Sequence, residues 1–286
     1  MKCTKYYGIN IVIFLVTISI FIKILKEGFS WISTQAVITP ILLLSLASIS
    51  IVHFIKALRL YFIMLEKRLT VTRFLRVYVK TTLVNLVLPF KSGEFFRMYC
   101  LGHELKNYKT GFLLILVDRY FDTIPLVILM LGFTLLGQGD LKGIVVILIG
   151  FLTVVTITYA IFPSTFAYIN RFLIINTHSE RGLMSLELLR KMRYWYSYIQ
   201  ELVKGRELIL LILSSLSWAM QYIALYSLIK GIGHTFSAID FIAYIDSIFM
   251  GSISEYINLY VGISVAILVG IAVGVYGKSF IVRKRK

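Results

Sequence analysis

The sequence predicts an all-α, polytopic membrane protein formed by a single integral membrane domain, residues 1–286. Hydrophobic residues make up 58% of the chain, whereas a soluble domain has about 45–50%. Several apolar runs reach the roughly 20 residues that a helix needs to cross a bilayer. Lys and Arg outnumber Asp and Glu by 30 to 14 and lie mostly between these runs, as in loops at an anionic cytoplasmic membrane face. This distribution argues against nucleic-acid binding, since no basic groove or reader module is visible.

Six apolar runs predict crossing helices, at residues 9–22, 38–65, 110–136, 143–162, 208–229 and 259–276. Two other runs contain charges: residues 72–88 include Arg73, Arg76 and Lys80, and residues 239–257 include Asp240, Asp246 and Glu255. A charge near the centre of a crossing helix costs about 2.5–3.5 kcal/mol on the insertion scale. We therefore do not expect either run to be an ordinary, lipid-facing span.

The positive-inside rule orients the predicted helices. Residues 66–80 carry five basic residues and one acidic residue, so this segment and the N-terminus are predicted to be cytoplasmic. If residues 72–88 crossed the membrane, the basic segments 91–109 and 163–207 would lie outside. A re-entrant element over residues 72–97, which enters and returns on one side, keeps both segments inside.

The same rule predicts a second re-entrant element at residues 239–257, because the basic tail, residues 283–286, is expected to be cytoplasmic. The resulting layout has about six crossings, two re-entrant elements that enter from opposite faces of the membrane, and both termini in the cytoplasm. Such a layout is typical of inverted repeats around a midplane site. Eight ordinary spans with a weak charge bias remain the alternative.

A cytoplasmic segment, residues 181–204, shows helical amphipathic periodicity. Its apolar residues recur at steps of three and four: Met184, Leu188, Met192, Trp195, Ile199 and Leu202. This pattern predicts a helix on the inner membrane surface or one packed against other cytoplasmic segments, and both interpretations stay open.

The stretch "NLVLPFKSGEFFRMY", from Asn85 to Tyr99, has the composition of a broken helix. Pro89 is expected to end the incoming helix, and Gly93 permits close backbone approach. Ser92 is predicted to cap the next helix, whose N-terminus would favour an anion. Lys91 and Arg97 add positive charge, and Glu94 can pair with Arg97 three residues on. The stretch predicts either a pocket for a phosphate-bearing headgroup or a structural hairpin whose charges neutralise one another.

Ionisable residues inside membrane segments are functional candidates. Asp118 and Asp122 share a face of the next span, beside Arg119. They predict an ion-pair network with Glu94 and Arg97, which would fix helix packing, gate a headgroup path, or both. For Arg59, on the second span, a headgroup ligand and a residue that snorkels to the interface are equally open.

The combination of "KALRL", "NLVLPFKSGEFFRMYCLG" and "VDRYFD" at this spacing resembles the transmembrane family of lysylphosphatidylglycerol synthases and flippases. The resemblance implies a translocase for lipids or lipid-linked sugars, multi-pass in the cytoplasmic membrane of a prokaryote. Synthase members also carry a soluble aminoacyl-transferase domain, and since the chain ends at "RKRK" we expect that activity to be absent. The family's second broken motif, rich in proline, corresponds to "GSISEYINLYVGISVAI", which lacks proline but contains Glu255.

The residues assigned to the predicted site fall into three groups. Headgroup-binding candidates are Lys91, Ser92, Gly93, Arg97, Arg119 and Arg59; gating or proton-coupling candidates are Glu94, Asp118, Asp122 and Glu255; the helix break uses Asn85 and Pro89. No metal-ligand spacing and no nucleotide-binding loop are present, so no cofactor is expected.

The leading functional prediction is translocation of an anionic lipid, either a phospholipid or a polyprenyl-phosphate-linked sugar, by a protein that is not an enzyme. Two alternatives remain open: a non-transporting membrane partner of a lipid-modifying or glycosyl-transferase enzyme, and an integral-membrane lipid-sugar transferase. Expected partners are a membrane lipid and, as open possibilities, a second copy of the chain or a membrane transferase.

Overall fold

The computed structural model describes residues 2–32, 39–65, 69–88, 91–136, 143–176, 180–250 and 255–284. All ten elements in these ranges are α-helices, which confirms the all-α prediction. In chain order they are α1 (Lys2–Ile32), α2 (Thr39–Met64), α3 (Val71–Val87), α4 (Gly93–Glu104), α5 (Tyr108–Leu135), α6 (Gly143–Asn176), α7 (Glu180–Val203), α8 (Glu207–Gly231), α9 (Ala238–Met250) and α10 (Glu255–Lys284).

Within the described part of the chain, five helices are long and apolar enough to cross a membrane. Their apolar stretches are Tyr6–Ile24, Pro40–Met64, Gly143–Ile175, Glu207–Gly231 and Asn258–Tyr276, on α1, α2, α6, α8 and α10. These coincide with five of the six predicted crossings. The sixth, α5, has 28 residues but carries Asp118, Arg119 and Asp122 within it.

Helices α2 and α8 pack against each other in opposite directions along most of their lengths. Near one end Arg59 Nη1 donates to Ser214 Oγ at 2.9 Å, and further along Lys56 Nζ donates to Gln221 Oε1 at 2.9 Å. At the other end a Cβ added to Gly231 would lie 3.1 Å from Leu42 Cδ2. The end of α2 therefore lies beside the start of α8, and the start of α2 beside the end of α8.

Helices α3 and α4 form a helical hairpin, here called the α3–α4 hairpin. A Cβ on Gly93 would lie 2.3 Å from Asn85 Cα, and four residues later Arg97 bonds to Thr81 and Thr82. As the chain advances along α4, its partners on α3 therefore lie progressively earlier, so α4 returns antiparallel to α3. The 17 residues of α3 span about 26 Å, less than the roughly 30 Å hydrocarbon core of a bilayer.

Helix α9 folds back along α8 in a similar way. The ring of Tyr226 lies 5.9 Å from that of Phe236, and the ring of Trp218 lies 6.4 Å from that of Phe241. Helix α3 starts from the end of α2, whereas α9 starts from the end of α8, at the opposite end of the α2–α8 pair. The two short elements approach each other inside the bundle, where Lys91 Nζ lies 3.9 Å from the ring centroid of Phe249.

Helix α7 packs against the bundle with only part of its apolar stripe. Leu202 is fully buried, and Trp195 and Ile199 contact the same core, whereas Met184 and Leu188 are exposed. On its exposed face Lys191 bonds to Glu187 at 2.6 Å, and this hydrogen bond lowers the pKa of the Glu187 carboxyl. The C-terminal half of α7 is thus anchored to other helices, and its N-terminal half presents an apolar surface.

Candidate functional site

A buried network of ion pairs connects α2, α4 and α5. Its central residue is Arg59, whose side chain is 1% exposed. Arg59 Nε donates to Asp118 Oδ1 at 2.8 Å, and Arg59 Nη1 bonds to Asp122 Oδ1. Asp118 and Asp122 can share one guanidinium because residues four apart lie on one face of a helix.

Arg119 pairs with the same two carboxylates from the other side. Its Nη2 bonds to Asp118 Oδ2, its Nη1 lies 3.1 Å from Asp122 Oδ2, and its Nη1 also lies 3.6 Å from Glu94 Oε1. Both oxygens of Asp118 and both of Asp122 are therefore occupied by guanidinium groups. The Nε1 of Trp218 further fixes this part of α5 by donating to the backbone oxygen of Asp122 at 2.9 Å.

Glu94 and Arg97 extend the network into the α3–α4 hairpin. Arg97 Nη1 lies 3.3 Å from both carboxylate oxygens of Glu94, and Arg97 Nη2 donates to Thr82 Oγ1 at 2.9 Å. Asn85 Nδ2 donates to Glu94 Oε1 at 2.8 Å. We call these six charged residues the ion-pair network: Arg59, Glu94, Arg97, Asp118, Arg119 and Asp122. Positive and negative charges are equal in number within it.

The chain between α3 and α4 has a distinctive backbone. Lys91 has a φ of 49°, a left-handed conformation that is uncommon outside glycine and that clusters at functional sites. Ser92 precedes α4 as predicted, but its side chain makes no capping hydrogen bond, and its φ of −61° and ψ of −22° are already helical. The first turn of α4 instead contains Glu94, whose carboxylate is favourable at a helix N-terminus. Pro89 lies outside the described residues.

A cavity of about 420 Å³ lies next to the ion-pair network, among residues of α1, α2, α3, α5, α8, α9 and α10. Its volume is within the roughly 300–1,000 Å³ typical of small-molecule sites. The charged residues among the described part of its wall are Lys23, Lys56, Lys91, Arg119 and Asp122. The wall therefore has an excess of positive charge, in contrast to the neutral network behind it.

The two central lysines of the cavity have neutral partners. Lys56 Nζ donates to Gln221 Oε1, and the Nε2 of Gln221 donates in turn to Tyr244 Oη. Lys91 Nζ lies over the ring of Phe249. Among the described residues no carboxylate lies within 4.0 Å of either ammonium group. Both lysines can therefore receive an anion without first losing an ion pair.

Three described residues of the cavity wall also have polar atoms without partners. Within the described residues, both ring nitrogens of His53, the Oδ1 of Asn85 and the Nε of Arg119 are buried and form no hydrogen bond. All three residues line the cavity, and His53 is 4% exposed. Buried polar atoms are nearly always satisfied in folded proteins, so these atoms indicate that a polar ligand or water completes the site.

The structure divides the predicted site residues into two sets. Lys91, Arg119, Asn85 and Asp122 line the cavity, whereas Arg59, Arg97, Glu94 and Asp118 lie behind its wall in the ion-pair network. Gly93 packs against Asn85 with no room for a side chain. Glu255 is the first residue of α10, and its side chain lies outside the described part of the structure.

The cavity also includes Lys23, Lys56, Gln221 and Asn258, which are not among the predicted site residues. Lys56 precedes Arg59 by three residues on the same helix face, and this spacing was the one available signal. From the pattern alone, snorkelling to the interface is the favoured interpretation of Lys56. Gln221 and Asn258 are isolated polar residues within apolar runs, which do not by themselves indicate that they share a cavity.

Comparison with known proteins identifies the family. No curated protein and no solved structure matches the chain significantly. The family described as "Lysylphosphatidylglycerol synthase TM region" matches residues 9–279, nearly the whole chain. Such a match indicates a lipid-related function of the flippase or transporter kind in a multi-pass membrane protein. The ion-pair network is formed by residues of the motifs that carry this resemblance. The chain belongs to the lysylphosphatidylglycerol synthase transmembrane family.

Proposed function

We propose that this protein translocates an anionic lipid, a phospholipid or a polyprenyl-phosphate-linked sugar, across the cytoplasmic membrane of a prokaryote. The observation that carries the proposal is the cavity with unpaired cations, lined by Lys56 and Lys91, at the meeting point of two short helical elements. A phosphate group would pair there with both ammonium groups. The lipid tail would stay in the surrounding bilayer while the headgroup passes through the protein.

We propose a membrane arrangement with six crossings, formed by α1, α2, α5, α6, α8 and α10. In this arrangement the α3–α4 hairpin enters from the cytoplasmic face, α9 enters from the opposite face, and both termini are cytoplasmic. Three observations support it: the basic loops, the antiparallel α2–α8 pair, and the length of α3, which is shorter than the hydrocarbon core of a bilayer. The headgroup site would then lie near the bilayer midplane, as in transporters built from inverted repeats.

The mechanism that we propose is alternating exposure of the cavity to the two membrane faces, without a covalent step. Movement of the α3–α4 hairpin and of α9 would open one side at a time. The ion-pair network would act as the gate, because Glu94 on α4 is joined to Arg119 on α5, so moving α4 requires an exchange of charge partners. Burial makes breaking a single pair costly, which favours two discrete arrangements over gradual opening.

The test is headgroup translocation by the purified protein in proteoliposomes that contain a labelled anionic lipid. The double variant Lys56→Gln/Lys91→Gln should lower the rate by at least about tenfold, equivalent to about 1.4 kcal/mol. The matched control is Lys204→Gln, which removes an exposed lysine after α7 and should leave the rate unchanged.

Three results would contradict the proposal. The first is an unchanged rate in the double variant. The second is transport that requires a co-purified transferase, which would make the chain a partner rather than a translocase. The third is recovery of a chemically altered lipid, detected by mass spectrometry, which would indicate an enzyme.

A further inference from the structure

The charges on the cavity wall restrict which headgroups can enter. Lys23, Lys56, Lys91 and Arg119 line the cavity, and Asp122 is the one carboxylate among the described residues of its wall. Asp122 already accepts from Arg59 and Arg119. Among the described residues of the wall, an ammonium group in the cavity would therefore meet like charges and no carboxylate that is free of a guanidinium partner. In a medium of low dielectric constant such repulsion is much stronger than in water.

The neutral polar groups of the wall suit hydroxyl groups. Asn85 Oδ1 is an unused acceptor, Arg119 Nε is an unused donor, and both ring nitrogens of His53 are unpaired. The buried Asn258 side chain adds an amide. A hydroxyl group can donate and accept at once, so it can satisfy both kinds of atom, whereas an ammonium group can only donate.

We infer that the headgroup consists of a phosphate joined to a neutral, hydroxyl-bearing group, and that the cavity discriminates against headgroups that carry ammonium groups. The lysyl ester that gives the family its name carries two ammonium groups and falls in the rejected class. This inference rests on the proposed function for the identity of the site. The glycerol headgroup of phosphatidylglycerol and the sugar of a polyprenyl-phosphate lipid share the accepted chemistry.

Lipid binding to the purified protein in detergent tests the inference, measured by native mass spectrometry. The three probes are phosphatidylglycerol, lysylphosphatidylglycerol and a polyprenyl-phosphate hexose. We expect one or both of the hydroxyl-bearing anions to bind at least about tenfold more tightly than the lysyl ester. The ratio of the affinities for phosphatidylglycerol and for the polyprenyl-phosphate hexose identifies which lipid supplies the headgroup. Equal or tighter binding of the lysyl ester, or binding of none of the three probes, overturns the inference.

A charge reversal at the cavity gives a second, independent result. Lys56→Glu should raise the affinity for the lysyl ester relative to phosphatidylglycerol by at least about tenfold, because it supplies a free carboxylate. The matched control, Lys204→Glu, reverses an exposed charge outside the cavity and should leave the ratio unchanged. Lys56→Gln, which removes the charge without reversing it, should give an intermediate ratio. A ratio that does not change in Lys56→Glu protein of normal melting temperature overturns the inference.

Binding and transport separate this inference from the proposed function. If the protein binds hydroxyl-bearing anions selectively but moves none of them in proteoliposomes, the translocase proposal fails and the headgroup assignment stands. If it transports the lysyl ester as fast as phosphatidylglycerol, the headgroup assignment fails and the translocase proposal stands.

Discussion

The ion-pair network and the cavity wall both contain cationic side chains, but in two different electrostatic situations. In the network, Arg59 contacts two carboxylates and a serine hydroxyl. In the cavity, Lys56 and Lys91 have an amide and an aromatic ring as their partners. The two groups are neighbours, since Arg119 and Asp122 belong to both.

This difference indicates that the two groups serve different purposes. A buried charge that is fully paired cannot bind a ligand without losing its partner, and removing that partner leaves an uncompensated charge. A buried ammonium with a neutral partner has lost much of its hydration and gained little in return, so an incoming anion is attracted to it. We therefore propose that the paired residues serve stability and gating, and that Lys56 and Lys91 bind the ligand.

The largest effect is expected for Arg59→Ala, which removes the central cation of the ion-pair network. The change leaves Asp118 and Asp122 with one guanidinium instead of two, so the free energy of unfolding should fall by about 3–5 kcal/mol. Denaturant unfolding of the detergent-solubilised protein measures it. The matched control is Lys56→Ala, one turn earlier on α2, which removes a hydrogen bond to a neutral amide and should cost about 1.5 kcal/mol.

If the network is structural and the cavity binds the ligand, Arg59→Ala must lower the free energy of unfolding more than Lys56→Ala does. Similar losses of stability from Arg59→Ala and Lys56→Ala would mean that pairing does not distinguish the two residues. The division into a structural and a ligand-binding set would then be wrong.

A smaller effect is expected for Gly93→Ala, which tests how the hairpin presents Glu94 to the network. The added Cβ would lie 2.3 Å from Asn85 Cα, a clash with backbone that α4 can relieve only by moving away from α3. We expect a loss of about 1–3 kcal/mol in the free energy of unfolding. Gly132→Ala on α5 is the control, since nothing lies within 4 Å of its Cβ position, and it should stabilise the helix by about 0.5–1 kcal/mol. A neutral or stabilising Gly93→Ala would contradict the close helix packing.

The smallest effect on stability is expected for Lys91→Gly, which removes a cation from the cavity wall. Glycine accepts a φ of 49° without strain, but it also gives the unfolded chain more freedom, so the net change should stay within about 1 kcal/mol. Translocation should nevertheless fall about tenfold, because the cavity loses a cation. Lys106→Gly is a close control, since Lys106 has a φ of 54° and is exposed on the loop before α5.

Comparing these two glycine variants separates the effect of losing the Lys91 charge from the effect of changing the backbone conformation. Equal translocation by Lys91→Gly and Lys106→Gly proteins, at similar stability, would show that the Lys91 ammonium does not contact the lipid.

The sequence predicted the helical class and the charged motifs because both depend on local patterns. Long apolar runs require helices in a membrane, and Asp118 and Asp122 share a helix face by their spacing alone. The i, i+3 pairing of Glu94 with Arg97 is equally local and is present in the structure. These features needed no knowledge of how distant segments meet.

Which cations are paired with carboxylates and which line the cavity with neutral partners could not be predicted, because this depends on contacts between distant segments. Arg59 and Lys56 are both basic residues on one helix, and only the packing of α5 and α8 gives one of them carboxylates and the other an amide. Ser92 has the sequence of a cap, but the chain is already helical at that residue. Lys23 reaches the cavity because α1 packs beside α3 and α10, which apolar periodicity does not specify.

The contact between Lys91 and Phe249 has a consequence for how occupancy and motion are linked. It joins the tip of the α3–α4 hairpin to the C-terminal end of α9, and a cation over an aromatic ring is held by about 0.5–2 kcal/mol. A phosphate that binds Lys91 competes with this ring for the same ammonium. In the proposed translocase, the arriving lipid would thus release the contact between the α3–α4 hairpin and α9, so that the empty protein stays closed and the loaded one is free to move.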